Sequence, residues 1–146
     1  HGSKMIQAVA NARVPKFTIV LGGSYGAGNY GMCGRGFDPR FIFSWPTART
    51  AVMGGAQAAK VMDIVNRAKI ERTGMTANEE ALKAMSDGLR LRLDKESAAL
   101  FGTARLWDDG IIDPRDTRRL LGMCLAIAAE AQARPLQPNA FGVARM

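Results

Sequence analysis

The chain has 146 residues, a formal net charge of +7 and a hydrophobic content of 47%, which suits one domain with its own core. Its one histidine is His1 and its two cysteines, Cys33 and Cys124, stand far apart, so a histidine triad, a histidine-ligated metal site and a disulfide framework all lack material. The longest apolar stretches, near 14–22 and 120–129, fall short of the roughly 20 residues that cross a bilayer, and no charged-then-apolar signal peptide opens the chain.

Residues 1–13 read as a helix, with Met5, Ile6, Val9 and Ala10 at helical spacing. Val14-Pro15 ends it, because the residue before proline avoids the helical region. Residues 16–21 form a continuous apolar run, the mark of a strand buried on both faces. Then comes Gly22-Gly23-Ser24-Tyr25-Gly26-Ala27-Gly28-Asn29-Tyr30-Gly31, in which five of ten residues are glycine. It opens a helix over 26–34 that Gly34 and Gly36 stop.

A strand that ends in glycines and opens into a helix presents free backbone N–H groups, which suit an anion. Gly26-x-Gly28-x-x-Gly31 matches the dinucleotide fingerprint in form, but that fingerprint also wants an acid about 20 residues further on. Residues 47–53, Thr-Ala-Arg-Thr-Ala-Val-Met, hold none. Gly23-x-x-x-x-Gly28 has P-loop glycine spacing, yet Asn29-Tyr30 stands where Lys-Ser/Thr is required. Two readings remain open on the residues alone. One is an oxyanion held by successive backbone amides. The other is a tight crossing in which glycine only saves space.

Phe37-Asp38-Pro39-Arg40 is a turn, Phe41-Ile42-Phe43 a short strand, Trp45-Pro46-Thr47 another turn, and 49–53 a third strand running into Gly54-Gly55. A helix over 56–70 follows, so the strand–glycine–helix pattern occurs twice, as a repeated ββα-like unit. Residues 71–103 are mixed in charge and read as a helical excursion. Its helices are near 77–86 and 87–100, continuous or broken at Gly88, with an apolar stripe of Leu82, Met85, Leu89, Leu93 and Leu100. Residues 104–112 turn back to the core. Asp113-Pro114 starts the last helix, with Asp as N-cap and Pro at the first helical position. That helix runs to about Ala133, is expected to bury Leu120, Leu121, Met123, Cys124, Leu125, Ile127 and Ala128, and is closed by Pro135 and Pro138. The tail Asn139–Met146 is expected to lie along the surface.

Asp108, Asp109 and Asp113 read as structural rather than metal-binding: Asp109-Gly110 as a turn, Asp113 as a cap, Asp108 free to pair with an arginine. Both cysteines are expected reduced and interior. The basic residues, from Arg35 to Arg119, form no run and carry no interleaved aromatics, which favours a solvated surface over a nucleic-acid site. Attraction of a phosphorylated cofactor such as coenzyme A is a smaller use for them. The chain starts at His1 rather than at methionine, so it is expected to be a piece of a longer protein, or to carry foreign residues at His1-Gly2-Ser3.

Several stretches together resemble a known family. They are Gly22–Arg35, Trp45-Pro46-Thr47-Ala48-Arg49 with Val52–Ala59, Leu106–Pro114, and the ending Phe141–Met146. In collinear order over essentially the whole chain they resemble the C-terminal part of the carboxyltransferase (β) subunit of biotin-dependent acyl-CoA carboxylases, in the 3-methylcrotonyl-CoA and geranyl-CoA branch. The resemblance implies an α/β, crotonase-like fold of repeated ββα units with the helical excursion, residues 1–146 forming one C-terminal carboxyltransferase domain of a longer subunit. It implies an acyl-CoA-binding N-terminal domain on a neighbouring β subunit, a biotin carboxylase and biotin carrier α subunit, an oligomer of β subunits with a hexamer as precedent, and no metal, nucleic acid or membrane partner. Carboxybiotin would release CO2, and the biotin anion would take a proton from the acyl-CoA, whose dienolate would attack CO2. The biotin oxyanion hole would use the N–H groups of Ala27 and Gly28, with Gly26 allowing the turn and Tyr25 nearby. The implied location is the bacterial cytoplasm, or the mitochondrial matrix in a eukaryote. Phe41-Ile42-Phe43, Ala56 in place of a usual Glu, and Ala144 in place of a usual Phe lean toward geranyl-CoA over 3-methylcrotonyl-CoA. A non-catalytic, crotonase-like assembly domain is the alternative.

Overall fold

Two successive β-β-α units build the part of the chain that carries the glycine turn. The computed structural model describes residues 1–74 and 76–135. The first unit is β1 (Phe17–Val20), β2 (Gly23–Tyr25) and α2 (Ala27–Gly31), preceded by α1 (Gly2–Asn11). The second is β3 (Phe41–Ser44), β4 (Arg49–Ala51) and α3 (Gly55–Thr73). Equivalent strands of the two units pair in parallel. Phe17 faces Phe41 and Val20 faces Ser44 in one pair, and Gly23 faces Arg49 and Tyr25 faces Ala51 in the other. Parallel pairing demands a long crossover, and the repeat supplies it: the chain from Val20 to Phe41 connects β1 to β3, and that from Tyr25 to Arg49 connects β2 to β4.

β1 and β3 are aromatic and β-branched, residue types that fit a pleated, half-buried surface. Phe17 stacks on Phe41 at 6.1 Å between ring centroids, and Phe41 on Phe43 at 6.0 Å. Val20, Ile42, Ala48 and Ala99 form the buried core, with Ile111 packed against it. Residues 104–112 return to that core as expected. The Asp109 backbone N–H donates to the Ile42 carbonyl at 2.7 Å, and its carboxylate accepts from the Ile42 N–H at 2.8 Å. Single bridges from Ile111 to Ser44 and from Ala98 to Arg49 extend the two strand pairs.

The structure corrects several boundaries. The glycine stretch contains a strand, β2, which forms because Arg49–Ala51 lies alongside and completes its ladder. β4 ends at Ala51, and Val52 is 81% exposed. α2 stops at Gly31 rather than at residue 34, and Cys33 takes a positive φ of 61° behind it. Helix α4 (Glu79–Glu96) runs unbroken through Gly88, capped by Asn78, whose side chain accepts from the Ala81 N–H at 3.0 Å. A separate short α5 (Ala99–Thr103) follows. α3 ends on Gly74 at φ 67°, a left-handed cap, and pairs with α4 as a hairpin. Of the expected apolar stripe Leu82 is buried, Leu89 and Leu93 are half-buried, and Met85 and Leu100 are exposed.

Asp113 caps a 3-10 turn, Pro114–Asp116, that leads into α6 (Thr117–Ala133). α6 departs most from expectation. Cys124 is fully buried and Leu120, Leu121 and Ala128 are half-buried, but Met123, Leu125 and Ile127 are exposed. Both cysteines are buried and unbridged, and burial raises the Cys124 thiol pKa. Pro138, the tail and Ala144 lie outside the described residues. No helix among them is long and apolar enough to cross a membrane.

Candidate functional site

The glycine turn sits at the carboxyl end of β2, the end of a parallel strand where ligands bind in open α/β sheets. Tyr25 is the last residue of that strand. Gly26 follows with φ 51° and ψ −131°, a backbone conformation that a side chain would strain. Space excludes a side chain there too, since a Cβ on Gly26 would lie 2.9 Å from the Val52 carbonyl oxygen. The Gly26 N–H donates to the Ala51 carbonyl at 3.1 Å, so the chain leaving β4 fixes the turn from one side.

α2 then begins. Its Asn29 N–H donates to the Gly26 carbonyl at 3.1 Å, and the Met32 N–H to the Gly28 carbonyl at 3.1 Å. The N–H groups of Ala27 and Gly28 have no hydrogen-bond acceptor among the described residues. That is the ordinary state of a first helical turn, and it leaves two adjacent donors for a ligand. Both residues are exposed, and nothing lies within 4 Å of a Cβ placed on Gly28.

A groove of about 510 Å³ opens at this point, floored by β1 and bounded by Leu21, Tyr25, Gly28, Asn29 and Met32. None of its lining residues is charged. An anion held here has backbone amides and dipoles to meet, with no ammonium or guanidinium group. Of the four residues expected at the site, Tyr25 and Gly28 line the groove, while Gly26 and Ala27, between them, do not; all four are half-buried or exposed.

Two residues at the site were missed in the sequence. The Asn29 side-chain amide donates to the Ser24 hydroxyl at 2.9 Å, spanning the four residues between them. A serine five places before an asparagine is no recognisable pattern, so no local signal could have found the pair. Gly34 also belongs here, for a Cβ on it would overlap the Asn29 side-chain oxygen.

The three aspartates are structural, as expected, with two roles exchanged. Asp108 is buried and accepts from the Thr103 hydroxyl at 2.7 Å and from the Gly110 N–H at 3.1 Å. Asp109, not Asp108, pairs with an arginine, Arg35, at 3.1 Å. Asp113 accepts from the Arg115 N–H at 2.9 Å, and the Arg115 guanidinium beside it lowers its pKa.

Comparison with known proteins places the chain. The sequence pattern of the family described as "Carboxyl transferase domain" matches residues 1–142. The chain is 49% identical over its whole length to the biotin-dependent 3-methylcrotonyl-coenzyme A carboxylase beta1 subunit of Mycobacterium tuberculosis, covering 27% of that protein. It is 50% identical, over 99% of its length, to the mitochondrial methylcrotonoyl-CoA carboxylase beta chain of Arabidopsis thaliana, covering 24% of it. Among solved structures, the beta subunit of P. aeruginosa geranyl-CoA carboxylase matches all of the chain with a TM-score of 0.89 and 64% identity, again over 27% of that subunit. The chain thus spans about a quarter of the length of these relatives. The fold is the expected α/β, crotonase-like one, and the paired β-β-α units are its repeat.

Proposed function

The chain belongs to the carboxyl transferase domain family, and from that premise we propose that it is the C-terminal carboxyltransferase domain of a longer acyl-CoA carboxylase β subunit. In this reading it forms half of an active site. It receives carboxybiotin from a biotin carboxylase and biotin carrier α subunit, while the N-terminal domain of a neighbouring β subunit holds the acyl-CoA. The observation that carries the reading is the pair of adjacent N–H groups on Ala27 and Gly28, without acceptors among the described residues, of which Gly28 lines an uncharged groove.

Carboxybiotin, when bound, supplies the carboxyl group and a ureido oxygen on which negative charge develops as that group leaves. The chain's own part is to offer that oxygen two backbone donors that need no rearrangement. Preorganised donors of this kind act where charge develops, and removing one costs about 10²–10³ in rate. Gly26 makes the turn possible, and Tyr25 forms the adjacent wall. With the cofactor carrying the hard chemistry, the protein supplies binding and electrostatics, and no protein side chain need serve as a base.

The acyl substrate in this reading is an α,β-unsaturated acyl-CoA carboxylated at its γ carbon, with geranyl-CoA favoured over 3-methylcrotonyl-CoA. Supporting that preference, the chain is 64% identical to the matched part of a geranyl-CoA carboxylase β subunit and 49–50% identical to the methylcrotonyl relatives. The test uses the full-length β subunit with its biotin-carrying partner, assayed for ATP- and bicarbonate-dependent carboxylation of both acyl-CoAs side by side. Turnover of both with a geranyl preference is expected. Turnover of 3-methylcrotonyl-CoA alone would keep the carboxyltransferase assignment and overturn the branch. No turnover of either would leave a non-catalytic assembly domain.

A further inference from the structure

The two donors of the proposed hole lie on a five-residue helix, which has too few internal hydrogen bonds to hold its own first turn rigidly. Asn29, the residue after the two donors, lines both the groove and a second pocket of about 210 Å³ bounded by Val20, Ser44, Thr50 and Trp107. A short segment with open space on both sides of Asn29 needs an explicit restraint to keep its donors in place.

The restraints are visible. On one flank the chain leaving β4 holds Gly26, through the Ala51 carbonyl. On the other flank the backbone bonds from the Asn29 N–H to the Gly26 carbonyl and from the Met32 N–H to the Gly28 carbonyl are joined by a side-chain bond. The Asn29 amide reaches back to the Ser24 hydroxyl at 2.9 Å and closes a ring around Tyr25-Gly26-Ala27-Gly28. Ser24 is itself anchored in β2, opposite Thr50. Asn29 is anchored at its other end, where its carbonyl accepts from the Gly34 N–H at 2.8 Å and its side-chain oxygen fills the space of a missing Cβ on Gly34.

We infer that Ser24 and Asn29 are positioning residues whose side-chain hydrogen bond clamps the Ala27 and Gly28 N–H groups in their working geometry. This rests on the proposed oxyanion hole. Both side chains line the groove, but their hydrogen bond is to each other, so its loss lowers turnover without weakening acyl-CoA binding, which in this reading belongs to another domain.

The experiment uses the full-length β subunit assembled with its biotin-carrying partner. Ser24→Ala, Asn29→Ala, the double variant, Ser24→Thr and Gly28→Pro are compared by kcat, by KM for the acyl-CoA, and by acyl-CoA binding stoichiometry. Each single variant should lose about tenfold in kcat, the scale of one misplaced hydrogen bond, with KM changed less than about twofold and full binding stoichiometry. The double variant should lose no more than either single one, since both break the same bond. Ser24→Thr, which keeps the hydroxyl and suits a strand, should recover most of the loss. A merely structural role would instead lower binding stoichiometry in step with kcat. Unchanged kcat in Ser24→Ala, losses that multiply in the double variant, or a Ser24→Thr enzyme as poor as Ser24→Ala would each overturn the clamp. If Asn29→Ala fails to assemble, the two Ser24 variants decide alone. An active Gly28→Pro enzyme would remove the hole and the clamp together, whereas an inactive one with normal Ser24 variants would remove the clamp alone.

Discussion

Gly26 is the residue on which the site turns. Its φ of 51° and the Val52 carbonyl oxygen 2.9 Å from a would-be Cβ act against a side chain independently. One is a backbone conformation worth about 1–3 kcal/mol of strain to any other residue. The other is a clash with backbone, which cannot swing aside as a side-chain tip can. Gly26→Ala should therefore lower the melting temperature of the full-length subunit modestly and its carboxylation rate on the order of 10²-fold, because both donors follow Gly26 directly. A variant with wild-type rate would show that the turn tolerates displacement. The importance of Gly26 was legible in the sequence, since clustered glycines at a strand end announce a backbone with no room. Glycine spacing alone does not say which one takes the positive φ; the family resemblance pointed to Gly26, and Gly26 has it. The roles of Asp108 and Asp109 were exchanged. Both are acids near a turn, and only the packed loop decides which faces the Thr103 hydroxyl and which faces Arg35.

The elements show how local rules and tertiary context divide the work. α4 starts at its Asn78 cap, and α3 stops at a glycine in the left-handed conformation. Caps and stops are local chemistry, so the ends of the hairpin could be read within a few residues. β2 could not, because three residues with two neighbouring glycines become a strand only when Arg49–Ala51 lies beside them.

The hairpin is also joined near its loop end. The Arg67 guanidinium donates to Asp63 at 3.0 Å and to both carboxylate oxygens of Glu79, at 2.8 and 2.7 Å. The hydrogen bond from Arg67 holds the Glu79 pKa below its ordinary value of 4.5. A depressed folded-state pKa adds stability that is present above the unfolded value and lost as pH falls through the folded one. The amides of α3 and α4 should then exchange faster with solvent as pH drops below about 4.5, after correction for intrinsic exchange rates. Arg67→Gln should flatten that part of the dependence. The effect is small, because the partners are exposed and solvent screens them. Equal acid sensitivity in wild type and Arg67→Gln would rule out the bridge as its source.

At the scale of the whole molecule, large apolar side chains are exposed on two helices: Val61, Met62, Ile64 and Val65 on α3, and Met123, Leu125 and Ile127 on α6. Helical periodicity marked these residues as apolar, but it could not tell burial within one chain from burial against another. Apolar patches of this kind mark interaction surfaces. They suit the proposed reading of a domain that works beside the rest of a longer β subunit.

The most direct test of the account is the carboxylation rate of the full-length β subunit, assembled with its biotin-carrying partner, for wild type, Gly28→Ala and Gly28→Pro. Both substitutions add carbon at a position with open space around it, but only proline deletes the N–H. The account predicts a loss of about 10²–10³ in rate for Gly28→Pro, a much smaller loss for Gly28→Ala, and normal assembly and acyl-CoA binding for both. A Gly28→Pro enzyme that assembles and turns over like Gly28→Ala would contradict it, and would leave the glycine turn with a packing role only.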